Sequence, residues 1–462
     1  MKKNPNHPNP GRRTFLKAAA GFMGSTLFGG IPFRAFAQAT NQATDRYFVF
    51  VYFSGGWDQL LAFDPRDPSV FTADRAAETR ILPGYNLIND SRFESIPLIP
   101  EANGVRSNIA FGPAVGPLAN HFDVMTVVRG INMTTLGHDV GFRYFLTGKR
   151  PIGSAARGSS TATEIVGQFK PAVPIPSVAY NIESYNDRYP GYANALRVSR
   201  TEDMLLTLSP SPTALDSELE KQLVDFRGQP ISCEAAAYGA RGVGTTYENS
   251  RDQMRTVLSN QLDKAFRFEN DPAVQAQYKL PATKPANGYD STEAGRAALV
   301  ATALKKGISQ CVSINLTGGL DTHFGTQLTH ANNQRRGFDA LAMLVDDLKK
   351  SDHPTSGKKF IDHTTILIFS EFSRTPLINA SGGRDHHLSN SCAIIGAGVK
   401  HNYVYGASGD IGMSPGTFEL RTGTATPTGE NILPEHIIAT VLASAKLDYA
   451  ITRVSPLQAI LA

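Results

Sequence analysis

Three short segments in the C-terminal third hold side chains able to do chemistry: Gly319-Leu320-Asp321-Thr322-His323, Ser370-Glu371-Phe372-Ser373-Arg374 and Gly383-Arg384-Asp385-His386-His387. Each sets carboxylates or imidazoles among small, turn-forming residues, and the first two follow apolar runs. A fourth segment, Ser54-Gly55-Gly56-Trp57-Asp58, adds an acid behind a glycine pair. Carboxylate oxygens and imidazole nitrogens are the donors that zinc, manganese, calcium and magnesium take. Asp58, Asp321, His323, Glu371, Asp385, His386 and His387 are therefore candidate ligands for one divalent ion or a pair. Adjacent side chains of extended backbone point apart, so two of Asp385, His386 and His387 are expected at one centre.

Each piece also has a plainer reading. Asp58 could cap a helix, Asp321 and His323 could form a turn with a surface histidine, and Glu371 with Arg374 could be a structural ion pair. Their common placement argues otherwise. His121, His330, His353, His363, His401 and His436 have no comparable neighbours and read as structural or exposed.

The elements that must position these groups are legible as apolar runs. Phe48–Phe53, Val124–Val128, Val312–Leu316, Thr365–Phe369 and Cys392–Ile395 are apolar on both faces, which suits central strands of a parallel sheet. Helical patterns lie between them. Asp290-Ser291-Thr292-Glu293 reads as a capping box ahead of Ala294, Ala297, Ala298, Ala301 and Leu304, and Gly307 ends the pattern. Phe338, Leu341, Val345 and Leu348 give a second amphipathic helix before Lys349. Such alternation predicts an α/β fold, a mostly parallel sheet with helices on both faces. The stretch 151–290 is different, with Pro171, Pro174, Pro176 and Pro190 followed by helix-like patterns at Ser217–Phe226 and Asp252–Phe268. It is expected to be an insertion or cap, or else a separate domain. In open α/β sheets the crevice lies beyond the carboxyl ends of the strands. Asp58, Asp321 with His323, and Glu371 each trail a strand, so three strands are expected to deliver them to one edge.

The N-terminus reads as an address. Arg12-Arg13-Thr14-Phe15-Leu16-Lys17 fits a twin-arginine export signature, and Ala35-Phe36-Ala37 fits a cleavage site. The weakly apolar stretch between them runs about 16 residues against the roughly 20 a membrane span needs. Residues 1–37 are thus expected to be a signal for the twin-arginine translocase, leaving a periplasmic or secreted chain, 38–462, without a stable span. The full chain has net charge +4, and six basic residues with no acid lie in the leader, taking the remainder to −2. No nucleic-acid partner follows from that balance. Cys233, Cys311 and Cys392 are odd in number and sparse, and the latter two read as buried thiols.

Across most of the mature chain these features resemble the DUF1501 family of twin-arginine-exported proteins, itself similar to the alkaline phosphatase/sulfatase superfamily. FVFVYFSGGWDQL (48–60), GHDVGFRYFLTGKRP (137–151), LTGGLDTHFGTQ (316–327), TILIFSEFSRTP (365–376), SGGRDHH (381–387) and NILPEHIIATVLASAKLD (431–448) carry the likeness. The resemblance implies an alkaline phosphatase-like α/β fold with its metal centre at the strand carboxyl edge. In it Asp58 would correspond to the first-strand aspartate, and Asp321 with His323 to a later Asp/His pair. Glu371 stands where an Asp-His pair is more usual, with Phe372 replacing the histidine, and His386 or His387 would supply the late histidine. Leu146-Thr147-Gly148-Lys149 resembles the end of the sulfatase signature, and counting back from it puts His138 at the nucleophile position. No cysteine stands there, which disfavours a formylglycine sulfatase. His138 is left as metal ligand, general acid/base or phosphoryl acceptor, with Thr134 and Thr135 as alternative nucleophiles.

Two functions compete on this reading. One is an exported metal-dependent hydrolase of a phosphate- or sulfate-ester-like substrate, small molecule or polymer, with Arg374 or Arg384 clamping the anion. The other is a non-catalytic envelope protein that keeps the fold and a structural metal and binds a partner or polysaccharide. A redox enzyme is disfavoured by the lack of a G-x-G-x-x-G after a strand and of C-x-x-C-H.

Overall fold

A computed structural model of the protein describes residues 45–93, 98–102, 105–171, 173–208, 216–227 and 262–462. The expected export signal, Cys233 and the start of the expected Asp252–Phe268 helix lie outside the described residues. The architecture is mixed α/β around one eight-stranded sheet. In chain order its strands are β1 Tyr47–Phe53, β2 Met125–Asn132, β3 Ser177–Tyr180, β4 Leu196–Val198, β5 Cys311–Thr317, β6 Thr364–Phe369, β7 Ser389–Gly396 and β8 Tyr403–Tyr405. In space they lie β8-β2-β7-β6-β1-β5-β3-β4.

All neighbours pair parallel except β7, which runs against both β2 and β6. All five apolar runs of the sequence are strands of this sheet. One detail differs: Cys392–Ile395 was expected to be parallel and belongs to the reversed strand. Burial on both faces makes a strand apolar throughout whichever way it runs, so composition carries no direction.

The uninterrupted apolarity of β1 follows from its place at the middle of the sheet. Val49, Val51 and Phe53 enter a core with the helices α3 (Glu293–Lys305) and α4 (Gln327–Lys350), through Ala298, Ala301, Phe338 and Leu341. Phe48, Phe50 and Tyr52 enter a second core on the opposite face with α1 (His138–Thr147), α2 (Thr161–Phe169) and α5 (Pro434–Ser444), through Phe145, Val166 and Ile438. Period-two alternation thus feeds two cores, one per face.

The capping of α3 shifts by two residues from expectation. Thr292 is the cap, its hydroxyl accepting from Gly295 N at 3.2 Å. Asp290 is buried instead and accepts from Tyr180 Oη and from Thr201 N. Thr326 caps α4 in the same manner.

The stretch 151–290, expected as an insertion or cap, supplies β3 and β4 to the central sheet. These strands are four and three residues long and set among prolines, too short to show as apolar runs. Ser217–Arg227 is helical as expected. Cys311 and Cys392 are free and buried. Among the described residues no helix is long and apolar enough to cross a membrane.

The register decides where the chemistry sits. Tyr52 is level with Phe369 on one side and Asn315 on the other. The chain therefore leaves β1, β5 and β6 at one height and on the same edge. The reversed β7 begins at that edge, so the loop before it also arrives there.

Candidate metal centre

Glu371 is the anchor of the site. It is 1 % exposed, and Oε1 accepts from Gly55 N at 2.8 Å while Oε2 accepts from Ser370 Oγ at 2.8 Å. Oε1 also accepts from His138 Nδ1 at 2.7 Å. Gly55 permits the first of these contacts through a positive φ of 112°; a Cβ there would lie 2.6 Å from Asp321 N. That close approach joins the turns after β1 and β5.

His138 opens the first turn of α1, and Gly141 one turn on lies flat against Glu371, where a Cβ would meet the carbonyl oxygen at 2.2 Å. The Glu371 hydrogen bond is the largest influence on His138 and raises its pKa against the opposing effect of burial. His323 Nδ1 donates to Asp385 Oδ1 at 2.8 Å. That bond is the main reason the Asp385 carboxyl sits below the usual range. His386 Nδ1 donates to the carbonyl of Leu136 at 2.6 Å, and burial leads the influences that lower its pKa.

These three contacts fix the tautomers. A carbonyl can only accept, and an ionised carboxylate can only accept. A neutral imidazole in each place therefore carries its proton on Nδ1 and presents Nε2 as a lone pair. The Nε2 atoms of His138 and His386 gather with Asp321, and His323 Nε2 lies beside His386 and Asp321. His323 Nε2 and His386 Nε2 are 2.8 Å apart, His138 Nε2 is 3.5 Å from Asp321 Oδ2, and His323 Nε2 is 3.2 Å from Asp321 Oδ1. His138, Asp321 and His386 each offer a donor atom within 4.8 Å of the others. His138 Nε2 is buried without a hydrogen-bond partner among the described residues. Two facing lone pairs beside a carboxylate repel unless a shared proton or a metal cation lies between them.

The donor chemistry suits a metal. Imidazole ligands commonly give their other ring nitrogen to a carboxylate or a backbone carbonyl, the arrangement seen at all three histidines. Ideal tetrahedral bonds of about 2.0–2.1 Å would set the nitrogens about 3.3 Å apart, a small opening from 2.8 Å.

Asp321 completes the group. Burial works against its ionisation, but the Arg374 hydrogen bond at 2.7 Å and the nearby imidazoles hold its carboxyl below the usual range. Its side chain is 52 % exposed, so the group opens to solvent.

Other candidate residues fall elsewhere. Asp58 is 1 % exposed and pairs with Arg384 Nε at 2.9 Å; Oδ1 accepts from Leu60 N. Its acid fixes the turn after β1 and lies outside the histidine group. His387 Nδ1 accepts from Ser389 N, so Asp385 and His386 are the two of that triplet at the centre.

Arg374 and Arg384 were expected to clamp an anion, and their donors are turned to the protein instead. Arg374 bonds Asp321, the carbonyls of Gly55, Gly56 and Arg384, and pairs with Asp321 rather than Glu371. Arg384 bonds Gln327 and the carbonyls of Leu82, Pro83 and Thr375. Thr135 Oγ1 accepts from Gly137 N, and Thr134 holds φ +53° with Oγ1 buried and unpartnered among the described residues.

Sequence reasoning missed the carbonyl of Leu136 and the amide of Asn379, which donates to Asp385 at 3.1 Å. A backbone carbonyl leaves no side-chain signal. Asn379 could have been noticed only as a polar residue within the loop that carries the histidines.

The chain matches the family described as "Protein of unknown function (DUF1501)" over residues 45–421 and belongs to it. No curated protein matches the chain.

Proposed function

We propose that this DUF1501 protein is an exported metal-dependent hydrolase of a phosphate- or sulfate-ester-like substrate, built on an alkaline phosphatase-like sheet. The observation that carries the reading is the gathering of His138, Asp321 and His386 within 4.8 Å, with His323 Nε2 2.8 Å from His386 and an acceptor on Nδ1 of each imidazole. Imidazole donors suit zinc better than the harder calcium or magnesium. One ion suffices, because Asp58 belongs to a separate ion pair.

A divalent ion held there supplies Lewis acidity to a substrate oxygen and lowers the pKa of the attacking water. His138, His323 and His386 hold it. Asp321, ionised and half exposed, stands on the solvent side to take up the proton. With Arg374 and Arg384 occupied, anion recognition falls to the ion and to the first turn of α1, whose amides and dipole favour negative charge. Neither Thr134 nor Thr135 contacts the group, which supports water as the nucleophile.

A second reading draws on the donor count. Four protein side chains fill a tetrahedron, the pattern of a structural zinc site. The protein would then be a non-catalytic envelope component binding a partner or polysaccharide. The role of Asp321 separates the two.

Metal content of the mature protein is measured together with hydrolysis of phosphomonoester, phosphodiester and sulfoester substrates. The hydrolase reading expects about one zinc per chain, kept in Asp321→Ala while turnover falls at least a hundredfold, and lost in Asp321→Ala/His323→Ala. Zinc lost in Asp321→Ala, with no turnover by the wild type, establishes the structural reading. Wild-type protein without divalent metal defeats both.

A further inference from the structure

The far end of α1 carries a second feature, unconnected with the histidines. Gly148, in the left-handed region at φ +62°, ends the helix and turns the chain into Lys149 and Arg150. These residues line an open cavity of about 500 Å³ together with Arg157, Asp187, Glu435, Thr452 and Arg453.

Four cations face two acids there. Among the described residues none of the four cations forms an ion pair, and the one side-chain hydrogen bond is from Arg150 to the carbonyl of Thr134. The C-terminal dipole of α1 favours cations nearby and accounts for Lys149 and Arg150. It does not account for Arg157 or Arg453, which come from separate loops. The cations outnumber the acids around the concavity and repel one another, and an anionic ligand relieves that repulsion.

The acids add a second requirement. The Glu435 carboxyl lies beside the Tyr144 hydroxyl and the Arg150 guanidinium, its Oε2 without a closer hydrogen bond among the described residues, while Asp187 Oδ1 accepts from Ser159 Oγ. Each carboxylate on the cavity wall keeps acceptor capacity beyond these contacts, and neutral hydroxyl groups meet it without adding charge. The volume lies within the range of small-ligand sites and exceeds what a bare phosphate ion fills.

We propose that this cavity binds a saccharide bearing a phosphate or carboxylate group, its anion met by Lys149, Arg150, Arg157 and Arg453 and its hydroxyls by Glu435 and Asp187. The site does not depend on the metal centre. The ligand is a sugar acid or sugar phosphate, free or at the end of an envelope polymer.

Titration calorimetry of the mature chain with glucose 6-phosphate, glucuronate, glucose and inorganic phosphate tests the proposal. Glucose 6-phosphate or glucuronate should bind saturably, at least tenfold more tightly than glucose or inorganic phosphate, and less tightly as salt rises. The tighter of the two identifies the anionic group. Arg157→Glu/Arg453→Glu alters two exposed, unpaired side chains, leaves the melting temperature in place and should weaken binding at least tenfold. Glu435→Gln should weaken binding of the sugar ligand and leave inorganic phosphate unchanged. Asp321→Ala/His323→Ala should bind as the wild type does.

Inorganic phosphate binding as tightly as the sugar phosphate would reduce the cavity to a simple anion patch and overturn the proposal. So would the absence of saturable binding, or affinity unchanged in the arginine variant. Binding lost with the metal-centre variant would assign the ligand to the histidines and overturn it equally.

Discussion

Arg384 and His330 show how much of the region below the centre is held by single side chains. Arg384 is 2 % exposed and faces Asp58, itself 1 % exposed. Burial raises the pKa of Asp58, and the Arg384 charge offsets part of that rise. Removing one partner of a buried pair leaves the other uncompensated, at a cost of about 3–5 kcal/mol. Arg384→Met is expected to lose stability on that scale in urea unfolding, with Arg384→Met/Asp58→Asn recovering part of it. A single variant as stable as wild type would remove the pair from the account of the fold.

His330 is pushed down to about 3, first by burial and then by the neighbouring arginines. Its Nε2 accepts from Asp58 N at 3.0 Å and Nδ1 meets Thr322 Oγ1 at 2.7 Å. The group is neutral when folded and takes a proton near 6.5 when unfolded. Stability from it is therefore complete above about 6.5 and drains as pH falls toward 3. At pH 5 the loss is about 2 kcal/mol. Urea unfolding at pH 7 and pH 5 should show that difference in the wild type and a smaller one in His330→Asn. Equal pH slopes for the two proteins would contradict it.

At the scale of elements, α1 and β7 do most to build the centre, and they differ in how readable they were. The GHDVGFRYFLTG stretch at 137–148 announces a helix with a histidine at its start. Its contact with the turn after β6 depends on Gly141, whose missing side chain lets the helix reach the Glu371 carbonyl. Gly141→Ala should push α1 outward, lower stability by about 1–3 kcal/mol and, on the proposed metal reading, reduce zinc content, because His138 moves with the helix. Melting temperature and metal content read the two effects. Unchanged metal content would mean that α1 is not what positions His138.

The strand runs were legible because central strands are buried on both faces. The direction of β7 was hidden for the same reason. Strands β3 and β4 were hidden by their length. Asp58 shows a further limit: an acid after a strand and a glycine turn has the same local sequence whether it meets an ion or an arginine. Its partner, Arg384, is far away in the chain and one residue from the centre's own Asp385.

For the molecule as a whole, position at one sheet edge was readable and pairing within that edge was not. Glu371, Asp321 and His323 were placed by the strands they follow. Which imidazole gives a proton to which acceptor depends on contacts across the fold, such as His386 with Leu136. We propose that the folded chain leaves the cytoplasm by the twin-arginine route, with any metal acquired before or after export. Arg12→Lys/Arg13→Lys should hold the protein in the cytoplasm and leave its metal content, once purified, unchanged. Localisation by fractionation checks this, and normal export of the double variant would dismiss the leader reading.

The reversed strand has a consequence of its own. Because β7 runs against β6, the connection from Phe369 to Ser389 begins and ends at the same edge and never crosses the sheet. Glu371, Arg374, Asp385 and His386 thus travel on one self-contained cassette. A change in its length would displace all four residues without rethreading the scaffold. Its length should therefore vary little within the family, because Glu371, Arg374 and Arg384 on it are also tied to Gly55, Asp58 and Leu82.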